Sequence, residues 1–183
     1  MNAPASPPSP YSSATHNAKI ESHTLSVLVD NEPGVLARVV SLFSGRGYNI
    51  ESLTVAEVAH AEHLSRITIV TSGAPETIDQ IHHQLERLVP VRQVTDLTAS
   101  KRSLERELAM IKVRGRGENR SDALQVAEAF RARVVDATTE SFIFELTGRP
   151  AKIDEFVDLM RPIGLVEVSR TGVAAISRGP EPI

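Results

Sequence analysis

The sequence predicts an α+β protein made of two βαββαβ units, each an antiparallel sheet with helices covering one face. Three observations carry this. Runs rich in Val, Ile and Thr that alternate apolar with polar residues are interleaved with runs whose apolar residues recur every three or four positions. The order strand, helix, strand, strand, helix, strand occurs twice. A polar, charged stretch, ASKRSLER at Ala99 to Arg106, separates the two occurrences.

The first strand is His23 to Asp30, where Leu25, Val27 and Val29 alternate with Ser26 and Leu28. From Gly34 to Arg46 the period is helical: Val35, Leu36, Val39, Val40, Leu42 and Phe43 fall on one side, Arg38, Ser41 and Ser44 on the other. Pro33 suits the first helical turn because its missing donor costs nothing there, and Gly45 and Gly47 supply the stop. Strands Asn49 to Val58 and Ser65 to Ser72 follow, then a helix Glu76 to Leu88 with Ile78, Ile81, Leu85 and Leu88 as its buried stripe. Pro90 ends it, and Val91 to Leu97 closes the first unit.

The second unit repeats the order: strand Leu108 to Arg114, helix Arg120 to Ala132, strands Arg133 to Thr138 and Phe142 to Thr147, helix Lys152 to Ile163, strand Leu165 to Ser169. Gly172 to Ser177 is a candidate further strand. Both units are ferredoxin-like in element order. The predicted organisation is therefore a Pro/Ser/Ala-rich disordered tail (1–20), a first domain (21–98), a linker (99–106), a second domain (107–178) and a short tail (179–183).

Composition narrows the function classes. With 183 residues, 41% of them hydrophobic, there is material for compact cores. Twenty Lys and Arg against twenty-three Asp and Glu give a formal net charge of -3, so no strong field directs the chain to nucleic acid. Without cysteine there are no disulfides, zinc-thiolate sites or cysteine nucleophiles. No apolar run approaches the ~20 residues that span a bilayer, and no secretory segment opens the chain. These features predict a soluble, cytoplasmic protein. No P-loop, nucleophile elbow or H-E-x-x-H motif marks a catalytic centre.

The turn Asn31-Glu32-Pro33-Gly34 carries the most chemistry. The first amides of a helix lack intrahelical partners and sit at the positive end of its dipole, so they attract anions. Gly34 has no Cβ, which lets a carboxylate approach the amides of Gly34, Val35 and Leu36. Asn31 and Asn49 offer amides that both donate and accept, suiting a zwitterion, and Val35, Leu36 and Ile50 could sheath a short aliphatic side chain. The same residues also admit a plainer reading, in which Asn31 caps the helix, Pro33 and Gly34 shape the turn, and Asn49 is an ordinary turn residue.

Other motifs are weaker. His60 and His63 read as solvated loop histidines without a third ligand. His82 and His83, adjacent on a helix, are expected to point to different sides, against a joint metal role. Gly115-Arg116-Gly117 reads as a strand-to-helix turn, and Arg114, Arg116 and Arg120 as a small basic cluster that could meet an acidic partner surface but reads more simply as a solvated loop.

LSVLVDNEPGVL at Leu25 to Leu36, followed by FSGRGYNIESLTV at Phe43 to Val55, resembles the small, regulatory subunit of acetolactate synthase (acetohydroxyacid synthase). The resemblance continues through LSRITIVTSG at Leu64 to Gly73 and ELAMIKVRG at Glu107 to Gly115, and ends at SRTGVAAISRG, Ser169 to Gly179. It implies that the first unit is an amino-acid-binding ACT domain. It further implies a non-catalytic chain in branched-chain amino acid biosynthesis that activates a catalytic large subunit and mediates feedback inhibition by valine. Thiamine diphosphate, magnesium and FAD are then expected on the large subunit, with no metal or catalytic residue on this chain. The effector is expected at a homodimer seam, with Asn31, Gly34, Val35 and Leu36 of one copy facing Asn49 and Ile50 of the other. The alternatives are a free-standing ACT-type sensor acting on another partner, against which no DNA-reading helix stands out, and an enzyme in its own right.

Overall fold

A computed structural model describes residues 19–99 and 103–183. The expected disordered tail lies outside the described residues except for Lys19 and Ile20, as do Ser100, Lys101 and Arg102 of the expected linker. Among the described residues no helix is long and apolar enough to cross a membrane.

The first unit is β1 (Glu21–Asp30), α1 (Val35–Arg46), β2 (Ser52–Ala59), β3 (Leu64–Gly73), α2 (Pro75–Glu86) and β4 (Val91–Asp96), with a 3-10 turn at His60–Glu62. Its sheet has the order β2-β3-β1-β4, and every recorded pairing is antiparallel. Leu25, Val27 and Val29 of β1 and Ile67 and Ile69 of β3 meet Val39 and Phe43 of α1 and Ile81 and Leu85 of α2, all essentially fully buried. Each such side chain contributes about 1.5–3 kcal/mol over leaving it in water, which is why the period-2 and period-3.6 stripes dictate these faces. At the end of α1 the Gly47 amide reaches back to the Ser44 carbonyl (3.3 Å) and the Tyr48 amide to Phe43 (3.0 Å). The Tyr48 ring then stands edge-on to Phe43, centroids 6.1 Å apart.

The second unit comprises β5 (Ser103–Arg114), α3 (Glu118–Phe130), β6 (Arg133–Ala137), β7 (Ser141–Gly148), α4 (Pro150–Gly164), β8 (Leu165–Arg170) and β9 (Ala174–Ser177). Its sheet repeats the order as β6-β7-β5-β8 around a separate core in which Phe144, Phe156, Ile111, Ile153 and Met160 are fully buried. Gly172 to Ser177 thus yields the strand β9, shorter by two residues, which pairs with the start of β5.

The structure departs from the expected linker and the expected C-terminal tail. Ser103 to Arg106, assigned to the linker, is the first part of β5 and pairs antiparallel with Ala174 to Ser177. The segment is polar, so a strand held by pairing with residues some seventy positions later has no local signature. The expected short tail, 179–183, also meets the first sheet: Arg66 donates through Nη2 to the Ile183 carbonyl at 2.7 Å.

The helices cover one face of the first sheet, and Glu105 of β5, Val173 and Ile183 meet the other. Thr24, Ser26 and Thr68, which point away from the helices, are consequently buried (3–5% exposed). Thr24 donates to Glu105 Oε1 (2.6 Å) across this contact.

Candidate functional site

Gly34 is the residue immediately before α1, and its φ of +86° lies in the left-handed region that favours glycine. No side chain caps the helix, so the capping role open to Asn31 is not used. Instead the Asn31 amide donates to the His63 carbonyl (2.7 Å), tying the β1–α1 turn to the β2–β3 turn beside it. The Val35 amide reaches Glu32 O (3.3 Å) and the Arg38 amide reaches Gly34 O (3.1 Å). Among the described residues no backbone carbonyl receives the amides of Gly34, Leu36 or Ala37. An uncapped, exposed helix start with three free donors can take a carboxylate.

The expected lining is altered at one residue. Val35 is 7% exposed and packs into the first core, so its side chain cannot sheath a ligand. It belongs to the buried helical stripe, whereas Leu36, at 38%, faces outward.

Asn49 and Ile50 precede β2 and do not open it, because the strand starts at Ser52. Asn49 is exposed; its carbonyl accepts from Thr71 Oγ1 at 2.6 Å, and the Glu51 amide donates to Val70 O at 2.8 Å. Thr71 is fully buried, so Thr71→Val, which keeps the shape and deletes the donor, is expected to cost about 1–2 kcal/mol in chemical denaturation.

The register shows how these two groups sit relative to one another. Asp30 pairs with Leu64 at one end of β3, whereas Ser52 pairs with Val70 near the other. The helix start and the Asn49-Ile50 segment of one chain are therefore at opposite ends of the sheet, separated by roughly the ~25 Å length of β2. They do not form a site together within one chain. β2 is an edge of the sheet, and Val55 and Val58 on it are 45% and 49% exposed.

The weaker motifs sort by their contacts. His60 Nδ1 meets Glu57 (3.0 Å) on the surface, and His63, at φ +52°, closes the turn. His82 and His83 converge where divergence was expected: both Nδ1 atoms approach Glu86 Oε2, at 3.7 and 3.4 Å, and the three ligating groups lie within 4.8 Å of one another. One long carboxylate at i+3/i+4 reaches both rings, which adjacency alone does not reveal. Of the basic cluster, Arg116 pairs with Glu140, and Arg120 donates to Thr138 O (2.9 Å) while lying 4.1 Å over the Phe142 ring.

Sequence reading missed the cleft between the two units, about 820 Å³, bordered by Glu51, Ser52, Glu105, Arg149, Arg170 and Gly172. Beneath it Glu107, 5% exposed, is held by both Arg170 Nε (2.7 Å) and Nη2 (2.6 Å), and Arg170 Nη1 also reaches Asp154 (2.6 Å). The hydrogen bond to Glu107 is the first cause that raises the Arg170 pKa above its already high ordinary value, against the opposing effect of burial.

Comparison with known proteins follows the same division of the chain. Residues 25–93 match the family described as "AHAS small subunit-like ACT domain", and residues 106–179 match "Small subunit of acetolactate synthase". A curated relative from Archaeoglobus fulgidus, named a probable acetolactate synthase small subunit, is 46% identical over 157 residues, 86% of this chain and 97% of the relative. The chain belongs to the acetolactate synthase small-subunit family. Another small subunit of acetolactate synthase, from Mycobacterium leprae, is 44% identical over 164 residues, 90% of this chain and 96% of its own. The crystal structure of the acetolactate synthase small subunit from Thermotoga maritima superposes with a TM-score of 0.78 at 38% identity, covering 88% of this chain and 99% of that one. The first unit is thus an ACT domain, and both units have the ferredoxin-like arrangement of the acetolactate synthase small subunit.

Proposed function

We propose that this chain activates a catalytic acetolactate synthase large subunit and lowers its turnover when valine binds at the seam between the ACT domains of a homodimer. The observation that carries the seam is the separation of Gly34 from Asn49 and Ile50 along a free edge strand. Pairing β2 antiparallel with β2 of a second copy about a two-fold axis brings the start of one β2 to the end of the other. That end lies beside the β1–α1 turn, because the Asn31 amide is bonded to His63. Each effector site then takes Asn31, the free amides of Gly34 and Leu36 and the Leu36 side chain from one copy, and Asn49 and Ile50 from the other. The seam also covers Val55 and Val58 and satisfies the edge amides.

In this reading the helix-start amides hold the valine carboxylate, the Asn31 and Asn49 carbonyl oxygens accept from its ammonium, and Leu36 and Ile50 enclose the isopropyl group. Thiamine diphosphate, magnesium and FAD are held by the large subunit, and this chain affects turnover only through contact with it. Calorimetric titration with valine, leucine and isoleucine, followed by assay of the reconstituted holoenzyme, tests the proposal. The expected result is one valine per chain and valine-dependent loss of turnover. No binding of any of the three at millimolar concentration, or no change in large-subunit turnover on adding the chain, overturns it.

A further inference from the structure

The residue that joins β8 to β9 is gripped by the strand that follows the effector segment. Val173, 5% exposed, donates its amide to Ser52 Oγ (2.9 Å), and its carbonyl accepts from Thr54 Oγ1 (2.9 Å). One residue of the second unit is thereby held on both sides by alternate side chains of β2. The grip requires a glycine beside it: Gly172 has φ +82°, and a Cβ there would lie 2.7 Å from Ser52 Oγ and 3.0 Å from Thr54 Cγ2. Ser52 and Thr54 lie two and four positions after Ile50. Both point to the face opposite the helices, where they pair with Val70 and Thr68.

On the other side of the joint, the Thr171 amide donates to Leu108 O (3.0 Å). Arg170 ties β8 to Glu107 and to Asp154 of α4, and β9 pairs with the first part of β5. A displacement of residues 49–54 therefore bears on the second unit at the Gly172-Val173 joint.

We infer that Ser52 and Thr54, clasping Val173 beside Gly172, form the mechanical link that carries occupation of the effector seam to the second unit. This rests on the effector reading above and adds the route by which that site regulates. The Asn49-Ile50 segment has little freedom to absorb a shift on its own, since Asn49 is bonded to Thr71 and the following Glu51 to Val70 of β3. Ligand occupation then moves β2 with the joint attached, and whatever factor valine imposes on binding of the large subunit, the large subunit imposes on binding of valine.

The test is the full-length variant Ser52→Ala/Thr54→Val, which removes both hydroxyls and touches no proposed ligand contact. Two quantities are read: valine affinity of the isolated chain by calorimetry, and the valine concentration that half-inhibits the reconstituted holoenzyme. The expected result is an affinity within about threefold of the parent and a half-inhibiting concentration raised by at least about tenfold, within the usual range of allosteric coupling. Thr54→Ser on its own restores a hydroxyl at the same position and is expected to respond like the parent. An unchanged inhibition curve in the double variant overturns the link. So does a parallel loss of affinity and inhibition, which would make the clasp part of the binding site. If the double variant does not fold, Ser52→Ala alone is read the same way. Failure of the parent chain to bind valine is a separate result that overturns the effector reading itself.

Discussion

Gly34→Asp is expected to weaken valine binding about 30- to 150-fold while leaving activation of the large subunit in place. The reason is electrostatic. The substitution sets a carboxylate where the proposed effector carboxylate would meet the helix-start amides, and two like charges about 4 Å apart repel by ~1 kcal/mol in water and ~4 kcal/mol at a partly shielded site. A value of about 2–3 kcal/mol fits an exposed seam, and each 1.4 kcal/mol is tenfold in affinity. Space does not limit the change, since an added Cβ at Gly34 meets nothing within 4 Å. Strain does contribute: a non-glycine residue at φ +86° costs roughly 1–2 kcal/mol, and that cost falls on folding. Gly34→Asn separates the two effects, because asparagine tolerates the left-handed region and carries no charge. The Asn variant is expected to lose less than about fivefold in affinity. If Asp binds valine as well as glycine does, the carboxylate is not held there. If Asn loses as much as Asp, the backbone and not the charge is responsible.

The fold was legible wherever one face of an element is buried. Leu25, Val27 and Val29 alternate, and Ile78, Ile81 and Leu85 recur at helical spacing, because water is excluded from one side only. It was not legible where both faces of a strand are polar. Ser103 to Arg106 resembles a linker until Ala174 to Ser177 is placed beside it, and that partner is distant in sequence. The candidate site divides in the same way. The helix start could be read from Pro33 and Gly34, because turn chemistry is local, but not that Asn31 leaves it uncapped. The role of Val35 could not be read as ligand lining and core stripe at once, and the core prevails because Val35 lies on the same buried stripe of α1 as Val39 and Phe43. The separation of Gly34 from Ile50 is a property of sheet topology, and the clasp on Val173 joins residues about 120 positions apart. Neither leaves a periodic trace in the sequence.

Arg170→Met is expected to destabilise the protein by about 3 kcal/mol, the low end of the cost of breaking a buried pair, because about a third of the arginine side chain faces the cleft. The cost arises at Glu107. Its side chain is 4% exposed and takes both of its short charge-assisted hydrogen bonds from Arg170, so the variant strands a carboxylate in the interior. The raised arginine pKa gives the sign of any pH effect on that partner: its contribution is complete below the unfolded-state value and fades only as pH climbs through the still higher folded one, beyond the range in which proteins are handled. For a protein of this size the loss corresponds to roughly 6–12 °C in melting temperature. Glu107→Leu/Arg170→Met removes both charges and is expected to recover most of it, because a well-packed apolar pair replaces a buried ion pair at little net cost. A single variant that melts within about 2 °C of the parent would mean that water from the cleft already solvates Glu107. A double variant no more stable than the single one would locate the loss in the Asp154 contact that ties β8 to α4, and so in the rigidity of the strand that leads into Gly172 and Val173.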